Sequence, residues 1–231
     1  MNYGNIVMPA ELLKLPEAAY VAGVTLRDLN RTFEDKILPA PLYGYDPAGG
    51  RMLLVSACPF VTFYFDTAAS SRLTADERTR VIGKAWERIQ SIGGRKTLDL
   101  IGGLLSAQKS ALIVEDDFLR VDLRPFFHRV AERLAKLRSA EGTVVRDENV
   151  MGGAPVVRGT RISPYDLAAS VANGIPRARI LKAYSGLSPE SLDLSVIWAQ
   201  ANPPRGRPRR ILDVLPKGSK AGEHRVVSRR H

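Results

Sequence analysis

The sequence predicts a mainly α protein with small β-hairpins. Its parts are an N-terminal winged helix-turn-helix, a central hairpin-plus-helix region, a C-terminal three-helix homeodomain-like bundle and a flexible basic tail. Three observations carry this expectation. Helix start and stop signals recur at short intervals, with Thr25, Thr74, Ser163 and Ser188 placed as caps and Gly23 and Gly174 as breaks. The extended stretches are brief and separated by glycine-rich or acidic turns. The basic charge is concentrated at one end: residues 203–231 hold nine Lys or Arg against two acids, net +7, so the other 202 residues carry only +3 of the total +10.

Composition bounds the class. At 231 residues and 45% hydrophobic, the chain is long enough for one large or two small cores. Cys58 is the only cysteine, which forbids an intrachain disulfide, fits a reducing compartment and reads as a small buried hydrophobe. No basic leader precedes an apolar run, and no run approaches the roughly 20 residues of a membrane helix. A soluble cytoplasmic protein without a membrane partner is expected.

In the first unit, residues 1–70, residues 16–22 read as a helix and Gly23 as the turn. Thr25 caps a second helix to about Asp35, with Asp28 completing a capping box. Leu26, Leu29 and Phe33 share the expected inward face, and Arg27, Asn30 and Arg31 the outward one. Residues 37–43 and 51–55 look extended around a glycine-rich turn at 46–50. Arg and Asn make bidentate contacts with guanine and adenine edges, so Arg27, Asn30 and Arg31 are the candidate base readers. Thr25 stands at the start of that helix and Arg51, on the hairpin, is placed near phosphate. Against this, residues 1–70 hold five basic and seven acidic groups, net −2. A protein-contact winged helix remains the other reading of the unit.

In the middle region, 71–142, Thr74 and Glu77 form a regular capping box for a helix over 73–90 that bears Arg78, Arg80, Lys84 and Arg88. A solvated helix face explains these residues best. Gly93 and Gly94 mark a loop. Residues 111–114 and 118–123 read as a hairpin, and 125–137 as an amphipathic helix with Val130, Leu134 and Leu137 inward. This region is expected to join the two outer units and to supply a dimer interface. His128, with no His or Cys cluster near it, is a structural or surface histidine.

Residues 143–202 open on Met-Gly-Gly-Ala-Pro-Val-Val-Arg-Gly-Thr-Arg-Ile. Gly152 and Gly153 permit a turn before Pro155, Val156 and Val157 form a short strand, and Gly159 turns the chain again before Thr160 and Arg161. Three helices follow: one capped by Ser163 and ended at Gly174, one from Pro176 to Tyr184, one from Ser188 to about Asn202. The third helix carries Glu190 and Asp193 and no Lys or Arg, and phosphate would repel it. Dimerisation or partner docking suits this bundle better, with Leu192, Val196 and Ile197 inward and Trp198 available to anchor a contact. Arg158 and Arg161 are its polar candidates, Arg161 equally able to hold the loop through carbonyls.

The Gly-Gly-x-Pro-Val-Val-x-Gly-Thr-Arg-Ile stretch, with Gly153, Pro155, Gly159, Thr160 and Arg161 as its turn residues and Tyr-x-Gly-Leu-Ser-Pro-Glu further on, resembles a bacterial family first defined only as a domain of unknown function. Its members include VapB-type antitoxins encoded beside PIN-like ribonuclease toxins. The likeness covers about residues 144–202. Residues 12–66 are similar to the DNA-binding unit of MerR-type and excisionase-type proteins. Together these resemblances imply an antitoxin that represses its own operon on operator double-stranded DNA and forms a homodimer within a hetero-oligomeric complex with its cognate PIN-like toxin.

The tail, residues 203–231, is too rich in Pro, Gly and charge to bury a core of its own. Pro204-Arg205-Gly206-Arg207-Pro208 resembles an AT-hook. Alternatively Arg205, Arg207, Arg209 and Arg210, with Ile211, Leu212 and Leu215 as apolar anchors, lie across the toxin. In that reading guanidinium groups pair with the carboxylates of its metal site. The sequence offers no nucleophile, metal cluster, phosphate loop or paired carboxylates, so neither enzymatic activity nor a cofactor is expected. A stand-alone regulator with an AT-hook tail and a protein-binding adaptor are the alternatives.

Overall fold

A computed structural model describes residues 11–93, 112–116 and 119–204. It is mainly helical with small antiparallel hairpins. Strand β1 (Leu12–Lys14) leads directly into α1 (Leu15–Ala22), where the Lys14 N–H donates to Glu17 Oε2 at 2.9 Å and closes the first turn. Gly23 ends α1 at φ 70, a left-handed conformation that glycine takes without steric cost. Thr25 caps α2 (Leu26–Glu34), accepting from the Asp28 N–H at 3.1 Å. A short 3₁₀ turn at Ala40–Leu42 precedes β2 (Tyr43–Tyr45), where an extended run from Ile37 was expected. The partner strand β3 (Arg51–Leu54) pairs with both β2 and β1, giving the order β1-β3-β2.

The sequence reading lacked β1 and also α3 (Cys58–Ser70), whose first seven residues are all buried. With those first turns buried on every side, there is no clear helical period to read. Thr74 and Glu77 make the expected capping box at the start of α4 (Ala75–Gly93). Strands β4 (Ile113–Asp116) and β5 (Leu119–Asp122) form the central hairpin, and Arg88 of α4 donates to the Ile113 carbonyl. The long helix α5 (Arg124–Thr143) follows, with Val130, Leu134 and Leu137 inward as predicted and Phe127 and Ala140 extending the stripe at either end.

One hydrophobic cluster runs from Leu13 through α1, α2, α3 and α4 to Leu137 of α5, with Phe60 and Phe127 in edge contact at 5.8 Å. Beyond it, β6 (Val144–Arg146) pairs with β7 (Pro155–Val157), and α6 (Pro164–Ala172), α7 (Arg177–Ala183) and α8 (Pro189–Ala201) complete the signature bundle. Val157, Leu167, Ile180, Leu187 and Leu192 form its core. A third cluster joins Ala140 and Val144 to Trp198. Among the described residues no helix is long and apolar enough to cross a membrane.

The end of α1 is tied to two other helices. The Ala22 carbonyl accepts from the Thr62 hydroxyl of α3 at 2.7 Å and from Nη1 of Arg133 on α5 at 3.0 Å. A Cβ on Gly23 would collide with that same guanidinium. Gly23→Ala is therefore expected to destabilise the protein by about 2 kcal/mol or more, through left-handed strain plus displacement of Arg133. Thermal or urea unfolding checks this; an unchanged midpoint would mean that the turn relaxes freely.

Two carboxylates are held below the ordinary range: Glu77 by the Thr74 N–H and then its hydroxyl, Asp122 by the Arg124 guanidinium. Groups with a depressed folded-state pKa contribute stability above the unfolded value, and that contribution is lost as pH falls through the folded one. The unfolding midpoint should drop on acidification below about pH 4, and the drop should shrink in the Glu77→Gln, Asp122→Asn double variant.

Candidate functional site

The expected DNA-reading residues lie on α2 and the β2–β3 hairpin, and the fold brings them onto one unit. The outward face of α2 is less uniform than its spacing suggested. Leu26, placed inward by periodicity, is 43% exposed, and Thr32 instead is buried beside Leu29, with its hydroxyl bonded to the Leu29 carbonyl. Leu26 instead lines an open groove with Pro16, Ala19 and Tyr20 of α1.

Each polar residue has a distinct setting. Thr25 spends its hydroxyl on capping and on Asp28 Oδ2 at 2.6 Å. Arg27 is exposed and makes no hydrogen bond or ion pair among the described residues. Asn30 donates from Nδ2 to the Leu26 carbonyl at 3.0 Å, which leaves its second N–H and its oxygen outward. Arg31 reaches Asp35 Oδ2 at 3.4 Å, with both side chains about half exposed, a pairing weak enough to exchange for phosphate or a base edge. Arg51 lies over the Phe33 ring at 5.4 Å, and Phe33 meets Tyr43 edge-on at 5.2 Å. This aromatic contact braces the hairpin against α2.

The hairpin turn is rigid. Asp46 Oδ1 accepts from the N–H groups of Ala48 and Gly50 at 2.9 and 2.6 Å. Tyr45, opposite Arg51 in the ladder, is 63% exposed. Sequence reasoning missed it; the available signal was an outward position on a two-stranded hairpin, next to a cation.

The expected basic face of α4 is largely engaged. Arg78 is 8% exposed, donates to the Leu73 carbonyl at 2.9 Å and stacks over Tyr64 at 4.7 Å. Arg80, Lys84 and Arg88 also have partners. His128 is exposed on α5. Cys58 is fully buried, and burial pushes its thiol up to about 12, which makes it inert near neutral pH.

In the signature segment Met151, Gly152 and Gly153 are consecutive left-handed residues at φ 51, 62 and 77, and Gly159 follows at φ 74. Between these turns Pro155 pairs with Arg146, while Val156 and Val157 are buried. The Thr160 hydroxyl donates to the Val157 carbonyl at 2.8 Å and accepts from the Ile162 N–H at 3.0 Å, closing the second turn. Arg158, rather than Arg161, holds the loop through a carbonyl: its Nε donates to Gly142 O at 3.0 Å. Arg161 is exposed.

Trp198, expected as a contact anchor, is 8% exposed and packs on Tyr165 with Arg146 above it at 5.9 Å. It belongs to the core because its helix position faces the α5 end. Asp193 on α8 pairs with Arg177 of α7 at 2.8 Å. The tail residues Arg205, Arg207, Arg209, Arg210, Ile211, Leu212 and Leu215 lie outside the described residues.

Comparison with known proteins finds relatives in sequence. Residues 144–198 match the family model described as "Protein of unknown function (DUF433)". The uncharacterized protein y4eO of Sinorhizobium fredii (strain NBRC 101917 / NGR234) is 42% identical over 226 residues, covering 96% of this chain and 95% of its own length. No solved structure matches. With so high an identity over nearly the whole length of both, the chain belongs to the family of that Sinorhizobium protein, and its segment 144–198 is a DUF433 domain.

Proposed function

We propose that this chain is the antitoxin of a type II toxin-antitoxin system that also represses its own operon. The unit of α1, Gly23, α2 and the β2–β3 hairpin acts as a winged helix-turn-helix on operator DNA. The middle region and the signature bundle hold a homodimer. The tail neutralises a PIN-like ribonuclease, its arginines pairing with the carboxylates that would otherwise bind magnesium. The chain itself performs no catalysis and uses no cofactor.

The observation that carries the reading is Arg27: an exposed guanidinium without a partner among the described residues, on a capped helix one turn before the half-exposed Arg31, with Arg51 on a hairpin braced against the same helix. A helix presented this way supplies bidentate donors to a major groove. The signature match over 144–198 supports the antitoxin half of the reading. The acidic α8, with Asp193 already paired, is a poor second reader. A protein-binding adaptor is favoured by a different observation, the exposed Leu12, Leu26 and Tyr45 on the same unit.

Each bidentate base contact is worth about 1–3 kcal/mol, so Arg27→Ala with Arg31→Ala should weaken operator binding by at least about thirtyfold with the circular dichroism unchanged. Unaltered affinity in a gel-shift titration removes the assignment and leaves the adaptor. The same titration against salt should give a log–log slope of about 0.9 per phosphate contact.

For the tail, the full chain and a chain ending at Asn202 are used to capture the product of the neighbouring reading frame. Tail-dependent capture of a small nuclease is the expected result. Failure of both chains to capture it, with the tail instead protecting A/T-rich DNA, would replace the antitoxin by a stand-alone regulator.

A further inference from the structure

A groove of about 510 Å³ opens beside the Gly23 turn, between α1, the start of α2, α5 and the end of α8. Its walls include Pro16, Ala19, Tyr20, Leu26 and Pro203, and its cation is Arg133. Leu26, with 43% of its surface open, stands on the rim. Arg133 uses Nη1 on the Ala22 carbonyl and has four further N–H donors.

We propose that this groove is the docking site of the chain's own residues 211–215, Ile-Leu-Asp-Val-Leu. Three observations single out that occupant. The first is position: Pro203 is itself part of the groove wall, and only six residues lie between Pro204 and Ile211, seven steps that reach about 23 Å when extended. A tethered segment this close arrives at an effective concentration that a free partner rarely matches. The second is chemistry. The segment sets one carboxylate, Asp213, between two aliphatic pairs, and the groove sets one guanidinium among apolar walls. An aliphatic segment covers the open Leu26 while Asp213 meets Arg133. The third is local charge: Arg133 is the one charged residue among those lining the groove, and residues 211–215 carry one carboxylate and no cation.

The docked segment covers Gly23 and Leu26, immediately before Arg27. Docking itself requires neither DNA nor toxin, and its test contains neither, so its outcome is separate from that of the functional reading.

The experiment places a photoreactive phenylalanine analogue at Leu26 in the full chain, an exposed position that tolerates replacement. Equal amounts of isotopically light and heavy protein are mixed, irradiated and digested, and the crosslinked peptides are identified by mass. The expected product joins position 26 to residues 211–215 within one chain, light to light and heavy to heavy. Leu212→Asp with Leu215→Asp should reduce its yield about tenfold or more, since two buried aliphatic contacts are replaced by charge. Asp213→Lys should reduce it as well, and Asp213→Glu should retain it. These variants leave Arg133 and the groove walls intact. Mixed light–heavy crosslinks would assign the groove to a second copy. Crosslinks to other segments, or a yield indifferent to the tail variants, would overturn the proposal outright.

Discussion

The carbonyl oxygen of Ala22 receives two donors from two different helices, and the placement of the N-terminal unit depends on it. The last carbonyls of a helix have no partners within it and carry the negative end of its dipole. Here Thr62 of α3 supplies a hydroxyl and Arg133 of α5 a guanidinium, while the Gly23 turn leaves room for both. A side chain at position 23 would displace the arginine, and loss of the arginine would leave a cationic site at the end of α1 unfilled. The turn that aims α2 and the join between α1 and α5 are thus one construction.

Arginine is used throughout as a packing residue as well as a charge. Arg78 lies on Tyr64, Arg129 on Phe126 while reaching Asp66 at 2.7 Å, Arg51 on Phe33 and Arg146 on Trp198. A planar guanidinium is weakly hydrated and stacks well on a ring, so these contacts stabilise helix junctions at modest desolvation cost. Part of the basic composition is thereby absorbed into the fold. What remains for an anionic partner is better judged from individual residues such as Arg27 than from net charge.

How much of this was legible in the sequence depended on whether a signal was local. The caps at Thr25 and Thr74 are made by residues three apart, and the inward stripe of α5 repeats every three to four residues, so all could be read directly. The turns around Val156 and Val157 declared themselves through glycine. Strand β1 could not be read, because three residues become a strand only when β3 arrives from forty positions away. The first two turns of helix α3 are buried whichever way they face, so they offer no alternation of burial to read. For the candidate site, the residue types on α2 were visible, but the bond from Asn30 to Leu26, the stacking of Arg51 and the burial of Trp198 depend on tertiary neighbours.

Helix α5 has twenty residues and a length of about 30 Å, with neither Gly nor Pro between Phe126 and Glu141. One end is embedded beside α1 and α3; the other runs straight into β6, which Arg158 clasps through the Gly142 carbonyl. A rod without a soft joint transmits rotation without absorbing it. Because the last turn of α8 also lies against α1, a shift of the signature hairpin reaches the N-terminal unit by two routes, along the rod and across that second contact.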